Sequence, residues 1–353
     1  MCTNLLNRNG DEIMKKLLNK ISRRVTALLL VLAVMASFTA NATAAQFNWR
    51  FANLYSRGTA FGELYQNLAD NIEKMSGGRI AVQMMYAGEG VSTNGIFGAV
   101  KSGLITMGAP FQPMHAGEMP AGIVEMGLPG GTDNVGELMQ LFYEKGFGDI
   151  LKEAYAAHGL VWLDPYIQPP VYIITKKPIN SIEDFKGLKI RAPGADGKFL
   201  RNLGASPVNL TWGEIYTSLS TGVIDGSIGS NLIDHRDGNH VEVAKYMYPL
   251  PLDGAQVLPV IVNQKAWNKL PDDLKAIVRA ATAIHAQEQL TRSRVWEAEA
   301  VADMEAKGLK WSPEPSEADK AAWKAASASL WDEYAKEDPY SARLIEVLKK
   351  EQQ

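Results

Sequence analysis

Hydrophobic residues follow two alternating periods from residue 47 onwards. The stretch FNWRFANLY alternates apolar and polar residues, which predicts a strand. In residues 59–78 apolar side chains recur every three or four positions, which predicts a helix with one buried face. Two glycines end this predicted helix. A strand at 79–88, a short helix at 92–103 and a strand at 104–110 follow. This β-α-β-α-β order is typical of an α/β domain with a largely parallel sheet.

The same rhythm starts again after residue 158. Residues 159–179 read as extended segments, and the strand within 187–194 ends on Arg191. A helix at 195–204 and two strands flanking a helix at 211–223 come next, and Leu258–Trp267 reads as a strand returning to a sheet. From Pro271 to Lys307 the pattern is one long helix, and the remaining residues are helical and charged. We therefore predict two α/β lobes.

The N-terminus has the pattern of an export signal. A basic stretch at Lys15–Arg24 precedes an apolar stretch at Val25–Ala40, and small residues follow. We predict a signal peptide over residues 1–45, cleaved after Ala44 or Ala45. The apolar stretch is shorter than the roughly 20 residues that span a bilayer. The mature protein is expected to be soluble and exported.

Composition and net charge exclude some classes of function. The chain of 353 residues is 46% hydrophobic, enough for a large core, and its net charge is −3. This charge argues against a nucleic-acid binder, which would carry a basic surface. The only cysteine, Cys2, lies in the predicted signal peptide, so the mature chain needs no disulfide and has no cysteine chemistry.

The sequence gives little indication of a catalytic or metal-binding site. The segment DHRDGNH (Asp234–His240) suggests a metal site, but His235 and His240 are five residues apart and do not share one face of a helix. A polar helix end and loop is the favoured interpretation. Phosphate-loop, dinucleotide-binding and nucleophile-elbow motifs are absent, and no carboxylate pair is singled out.

Arg191 is the clearest candidate for binding. In open α/β sheets, ligands lie beyond the carboxyl ends of strands, and Arg191 ends one. A guanidinium can bind a carboxylate through two parallel hydrogen bonds. From the residues alone, a surface charge and an anion clamp remain equally open.

Several motifs resemble one family in the correct order. INSIEDFKGLKIRAPG, LGASPVNLTWGEIYTSLSTGVIDG and VNQKAWNKLPDDLKAIVRAA resemble successive segments of the solute-binding proteins of tripartite ATP-independent periplasmic (TRAP) transporters. MSGGRIAVQMMYAG and AVKSGLITMG also fit. The resemblance covers essentially the whole mature chain and points to the DctP family.

The resemblance implies a two-lobed periplasmic binding protein, type II-like, with a cleft between the lobes and a long helix across both. Lobe I is expected to hold residues 46–168 and about 257–296, and lobe II residues 169–256 and about 297–353. The implied function is capture of a small organic acid in the periplasm and its delivery to a TRAP membrane permease, without catalysis or a cofactor. The alternatives are a secreted hydrolase or lyase using carboxylates or the Asp234-His235-Asp237 cluster, and a signalling receptor module.

In this family the arginine at the position of Arg191 pairs with the carboxylate of the solute. Its replacement by alanine is expected to remove most affinity and to leave the melting temperature nearly intact. Trp212 stands at a position that is often aromatic, and we expect it in the cleft. The full set of predicted ligand-binding residues is Arg191, Trp212, Gln168, Val171, Phe111, Gln112, Tyr55, Arg57, Ser230 and Asn231.

The chain also departs from known subgroups. Residues 227–231, SIGSN, match neither the Gln-Glu-Asn-Pro of sialic-acid binders nor the Glu-Trp of keto-acid binders. Val171 stands where sialic-acid binders have a second arginine, and Thr106 stands where the family usually has an aspartate. These departures argue against sialic acid, against a keto acid held with a metal, and against dicarboxylates. Phe111, Val171 and Trp212 would favour an aromatic or other hydrophobic monocarboxylate. The alternative that Arg57 provides a second cation stays open.

Overall fold

The computed structural model describes residue 14 and residues 45–131, 135–210, 212–253 and 256–351. Most of the predicted signal peptide, including Cys2, lies outside these ranges, so its cleavage site stays a prediction. Residues 47–353 form one compact unit, whose elements are numbered along the chain. Every helix in the described ranges is too short or too polar to cross a bilayer.

A five-stranded sheet forms the centre of lobe I. Its strands are β1 (Phe47–Ala52), β2 (Ile80–Met85), β3 (Met107–Gly108), β4 (Leu160–Gln168) and β10 (Gln256–Asn263), in the order β2-β1-β3-β10-β4. β1 is parallel to β2 and β3, as predicted, whereas β10 is antiparallel to both of its neighbours. The sheet is therefore mixed, because a strand from much later in the chain fills the place between β3 and β4.

Helices connect and cover these strands. They are α1 (Ala60–Met75), α2 (Ile96–Ser102), α3 (Ala121–Met126), α4 (Val135–Tyr143) and α5 (Phe147–Ala157). The Thr59 hydroxyl accepts a hydrogen bond from the Gly62 N–H and so begins α1. The predicted apolar face of α1 is buried. Helices α3 to α5 lie in a part of the chain for which the sequence pattern predicted no helix or strand.

Lobe II contains a second, six-stranded sheet. Its strands are β5 (Tyr172–Thr175), β6 (Lys189–Arg191), β7 (Ser206–Val208), β8 (Gly226–Ser230), β9 (Tyr246–Met247) and β11 (Lys310–Trp311), in the order β11-β9-β5-β8-β6-β7. β6 is parallel to β7 and β8, and β5 is antiparallel to β8 and β9. The helices α6 (Gly194–Asn202), α7 (Ile215–Thr221) and α8 (Leu232–Asp237) connect these strands.

Two short segments cross between the lobes side by side. One leads from β4 to β5 and the other from β9 to β10. They meet where the Val171 N–H donates to the Asp253 carbonyl at 3.2 Å and the Leu252 N–H donates to the Val171 carbonyl at 2.8 Å. The lobes are thus joined by a paired crossing, which suits a hinge.

After α9 (Gln264–Asn268), the long helix α10 (Asp272–Ala306) contacts α1 and β4 in lobe I and α8 in lobe II. It matches the predicted helix spanning both lobes, and Pro271 precedes its first turn. The C-terminal helices also contact both lobes, since α11 (Glu317–Tyr334) packs on α6 and α12 (Pro339–Glu351) packs on α3 and α5. The lobe limits given from the sequence stay predictions.

A carboxyl group is buried in the core of lobe I. Glu125 on α3 is 1% exposed. It accepts hydrogen bonds from the Tyr155 hydroxyl at 2.5 Å and from the indole Nε1 of Trp162 at 2.6 Å. Burial raises the pKa of Glu125 to about 7, although both hydrogen bonds oppose this shift. The cluster ties α3 to α5 and β4.

Candidate ligand-binding cleft

The carboxyl ends of strands from both lobes meet at the crossing. Because β10 is antiparallel to both β3 and β4, the strand β4 runs in the same direction as β1 and β3. Gln168 at its end therefore shares an edge with the loops that carry Tyr55 and Phe111. In lobe II, β6 and β8 end on Arg191 and Ser230 at a second edge, and three residues of chain link the two edges. This junction is where an open α/β fold binds ligands.

Arg191 is held at this junction by the backbone. Its side chain is buried, with the residue 9% exposed. The guanidinium Nε donates to the Leu210 carbonyl at 3.1 Å and Nη1 donates to the Ile228 carbonyl at 2.9 Å. Of its five N–H donors, three remain without a partner among the described residues. These three include a donor on each terminal nitrogen, which is the pair that a carboxylate needs for two parallel hydrogen bonds.

One buried carboxyl group, Asp196, lies in the electrostatic neighbourhood of Arg191, and a second, Asp253, lies in that of Asp196. Burial raises the pKa of Asp196, on α6, and the nearby Arg191 guanidinium opposes that shift. Burial, and then the charge of Asp196, raises the pKa of Asp253 in the crossing segment. Burial thus disfavours a negative charge on either carboxyl group, and within the described residues the hydrogen bonds of Arg191 go to two backbone carbonyls and to neither carboxyl. Among the described residues, the guanidinium therefore keeps donors without a partner.

A chain of side-chain hydrogen bonds joins the two lobes. Asn231 Nδ2 donates to Gln168 Oε1 at 3.3 Å, and Gln168 Nε2 donates to the Tyr55 hydroxyl at 2.5 Å. Asn231 Oδ1 also accepts from the Asp234 N–H at 2.9 Å and so begins α8. Three predicted site residues are thereby brought together, with two from lobe I and one from lobe II.

We expect the bond between Gln168 and Tyr55 to appear as an energetic coupling. Tyr55→Phe removes the hydroxyl and Gln168→Met removes the amide, so the two changes and their combination form a double-mutant cycle. Denaturant unfolding should give a coupling energy of about 0.5–1.5 kcal/mol, the net value of a buried neutral hydrogen bond. Additivity to within about 0.3 kcal/mol would show that the bond does not form in solution.

The other predicted residues are more dispersed. Gln112 is fully buried and its Nε2 donates to the Val257 carbonyl at 2.7 Å. Val171 is buried in the crossing, whereas Phe111 is half-buried and packs against a different apolar cluster. The side chain of Ser230 lies outside the described part of the structure, and its backbone pairs with Tyr172.

Arg57 and Trp212 lie nearer the surface. The Arg57 side chain is 63% exposed, forms an ion pair with Glu89 at 3.2 Å and stacks 4.1 Å from the centre of the Tyr86 ring. Its charge is therefore already paired. Trp212 is 42% exposed, and its ring centre lies 5.1 Å from that of His240.

The cluster considered for catalysis or metal binding has other partners. The backbone N–H of Asp234 donates to the Asn231 side chain, His235 contacts His240, and Asp237 forms an ion pair with Arg236 at 2.7 Å. In the described ranges, no three histidine, cysteine or acidic side chains are grouped to hold a metal ion.

The contact between His235 and His240 was missed at the sequence level. Their spacing excludes one helical face, but α8 ends at Asp237 and Asn239 adopts a left-handed backbone, with φ of 52°. The chain reverses there and returns His240 to His235. A short polar helix followed by Gly-Asn was the available signal of such a reversal.

The chain resembles known periplasmic proteins over most of its length. It is 29% identical over 308 residues to the monocarboxylate 2-oxoacid-binding periplasmic protein of Nostoc sp., which covers 85% of this chain and 83% of the relative. The structure of a TRAP periplasmic solute binding protein from Pseudoalteromonas atlantica, with bound sodium and pyruvate, is 28% identical, with a TM-score of 0.78. One from Colwellia psychrerythraea, with bound calcium and pyruvate, is 29% identical with the same TM-score, and each comparison covers 86% of this chain and 93% of the other.

The model of the DctP family, described as bacterial extracellular solute-binding protein, family 7, matches residues 51–338. This match begins in β1 and ends at the residue before α12, so it includes both sheets and the crossing between them. As its resemblance to TRAP solute-binding proteins predicts, the chain belongs to the DctP family of bacterial extracellular solute-binding proteins.

Proposed function

We propose that this protein binds a small organic monocarboxylate between its lobes, with Arg191 as the group that holds the carboxylate. One observation carries the proposal: a buried guanidinium, fixed by two backbone carbonyls, keeps its outer donors unpaired at a strand end between the lobes. A donor pair that is already oriented loses little conformational entropy on binding an anion.

Binding and lobe closure are linked by electrostatics. When the lobes close on an anion, water is excluded and the attraction between guanidinium and carboxylate becomes stronger. A solute that contacts both lobes binds the closed form better than the open form and shifts the population towards it. The closed form is then the signal that the solute is ready for delivery. In a receptor family of this kind, the recipient is a TRAP membrane permease, and no catalytic step is required.

The relatives support a monocarboxylate. The Nostoc protein is named for monocarboxylate 2-oxoacids, and the two solved structures hold pyruvate. The sequence here lacks the Glu-Trp pair of keto-acid binders at 227–228, and the described residues offer no acidic cluster for a metal. We therefore keep an aromatic or other hydrophobic monocarboxylate as the proposed solute, with the exposed Trp212 ring as its apolar contact.

Mass spectrometry of small molecules released from gently purified protein, followed by a thermal-shift screen of organic acids, tests this proposal. We expect one group of monocarboxylates to raise the melting temperature, since a ligand at 100 times its Kd stabilises the folded state by about 2.7 kcal/mol. Matched amides, which lack the charge, serve as controls and should have no effect. Stabilisation by neutral or cationic compounds alone would contradict the proposal.

A further inference from the structure

The C-terminal helices α11 and α12 form a further connection between the lobes, which the proposed function does not use. α11 packs on α6 of lobe II, whereas α12 packs on α3 and α5 of lobe I. Only the four residues 335–338 separate the two helices along the chain. Because so short a link has little reach, the lobes cannot move far apart on this side while both helices stay packed.

α11 is fixed to lobe II by an aromatic cluster and a hydrogen bond. Trp323 is buried, and its ring centre lies 4.7 Å from that of Phe199 and 5.6 Å from that of Tyr248. In the first turn of α11, the Asp319 carboxylate accepts a hydrogen bond from the Ile182 N–H at 2.8 Å. Aromatic side chains bury large apolar areas, so we expect α11 to move together with lobe II.

α12 is fixed to lobe I by its apolar face. Leu344, Ile345 and Leu348 are buried, and Arg343 forms an ion pair with Glu153 of α5 at 2.5 Å. The three apolar side chains supply most of this attachment, because an exposed ion pair contributes little. We therefore expect α12 to move together with lobe I.

α11 also contacts lobe I directly, beside the crossing. The indole Nε1 of Trp331 donates to the Pro129 carbonyl at 3.1 Å, and Trp331 is 3% exposed. The next residue of this loop, Gly130, donates its N–H to the Leu252 carbonyl in the crossing at 3.1 Å. Two hydrogen bonds thus join α11, a loop of lobe I and one of the two crossing segments.

This contact leaves no space for a closer approach. Gly130 has a φ of 73°, in the left-handed region that favours glycine. A Cβ atom placed on it would lie 2.7 Å from Oγ and 3.0 Å from Cβ of Ser327 on α11. The loop therefore blocks movement of α11 towards it. Movement away would break the hydrogen bond and expose the Trp331 ring to water, so the separation is held in both directions.

The packing beside this contact is open. A cavity of about 570 Å³ is lined by residues that include Leu141 of α4, Leu250 of the crossing and Trp323 of α11. Its walls belong to both lobes and to the crossing, so its shape changes when the lobes move. Because this space interrupts the packing, the attachment of α11 to lobe I is concentrated at Pro129 and Gly130.

We propose that α11 and α12 act as a strap between the lobes, held to lobe I at Trp331, and that this strap limits how far the cleft opens. α10 packs into a different apolar cluster, so the strap acts apart from it. The inference shares with the proposed function the requirement that the lobes move, but it does not depend on Arg191 or on the solute. A narrower range of open forms leaves a smaller rearrangement for the solute to drive.

Double electron–electron resonance between two spin labels measures the opening without any solute. The predicted mature chain, from residue 46 onwards, has no cysteine, so Lys74→Cys in lobe I and Thr221→Cys in lobe II supply the labelling sites. Both positions are exposed. Trp331→Phe keeps a ring and loses the indole N–H. We expect its distance distribution to widen and to extend to longer distances by several ångströms. Trp331→Ala, which also removes the ring, should give a larger shift.

Two controls separate loosening of the strap from unfolding. Trp311→Phe removes another indole hydrogen bond, the one from Trp311 Nε1 to Glu305 at 3.3 Å near the end of α10, and should leave the distribution unchanged. A second label pair, Lys74→Cys with Lys152→Cys, lies within lobe I at exposed positions. Its distance should be the same in every variant, which shows that lobe I is folded.

The outcomes separate the strap from the proposed function. An interlobe distribution that is unchanged in Trp331→Phe, or shifted to shorter distances, would overturn the strap and leave the proposed role of Arg191 intact. Failure of every carboxylate to bind would overturn the proposed function and leave the strap in place, because the labels report on the lobes alone. Wider opening in Trp331→Phe, with an unchanged distance within lobe I, is the expected result.

Discussion

Arg191→Ala is expected to weaken binding of the best organic acid from the thermal-shift screen by roughly a hundredfold or more. Removing one partner of a buried, hydrogen-bonded charge pair costs about 2–5 kcal/mol, because the remaining charge is left without a counterpart. In the variant the carboxylate would face the backbone carbonyls of Leu210 and Ile228, which have lost their Arg191 donors and repel it. Titration calorimetry of both proteins measures the change.

The same variant should also unfold more easily, whereas from the sequence alone we expect its melting temperature to stay nearly intact. The guanidinium is buried and satisfies two carbonyl groups, and a buried acceptor left unpaired costs about 1–3 kcal/mol. A surface arginine would have had no such effect.

Two further variants make this prediction specific. Arg191→Lys keeps the charge and loses the planar fork. Its affinity for the organic acid should therefore lie between that of the unaltered protein and that of Arg191→Ala. Lys189→Ala removes an exposed charge from the same strand and should leave the affinity unchanged. Equal binding by Arg191→Ala and the unaltered protein would refute the assignment of Arg191.

Glu125→Gln is expected to change how stability depends on pH. The folded-state pKa of Glu125 is about 7, against 4.5 for a free carboxyl. The stabilisation from its protonated form is therefore complete below pH 4.5 and is lost as the pH rises through 7. Glutamine stays neutral at every pH. The variant should gain stability relative to the unaltered protein between these limits, by about 3 kcal/mol in total.

The comparison must be made at each pH by denaturant unfolding. The buried histidines act in the opposite direction, because their folded-state pKa values are lowered and they are neutral where the unfolded chain is protonated. The difference between the two proteins removes this contribution. Glu144→Gln, at an exposed position, is the control and should show no such trend. A pH-independent difference for Glu125→Gln would mean that Glu125 ionises normally.

Much of the fold could be predicted because its signals are local. The apolar face of α1 and the long helix, expected at Pro271–Lys307 and found at Asp272–Ala306, follow from spacing along a single element. The insertion of β10 between β3 and β4 could not be predicted in this way. It depends on pairing between residues about 90 to 160 positions apart, and no local pattern encodes that choice.

The candidate site could also be predicted only where its features are local. The place of Arg191 follows from its position at a strand end, whereas the carbonyls that hold it come from Leu210 and Ile228, on other segments. The meeting of His235 and His240 depends on one left-handed residue, Asn239. Such contacts are decided by tertiary structure or by a single backbone angle, so composition and periodicity do not reveal them.

The central position of β10 also sets an order of folding. β3 and β4 share no edge, so the sheet of lobe I cannot be completed until residue 263 has been synthesised. The sheet of lobe II needs only residues 172–247 for five of its six strands. We therefore expect lobe II to fold first, although lobe I holds the earliest strands. Until β10 arrives, the edges of β3 and β4 stay open to wrong partners, and this interval is where the newly made chain is most prone to aggregate.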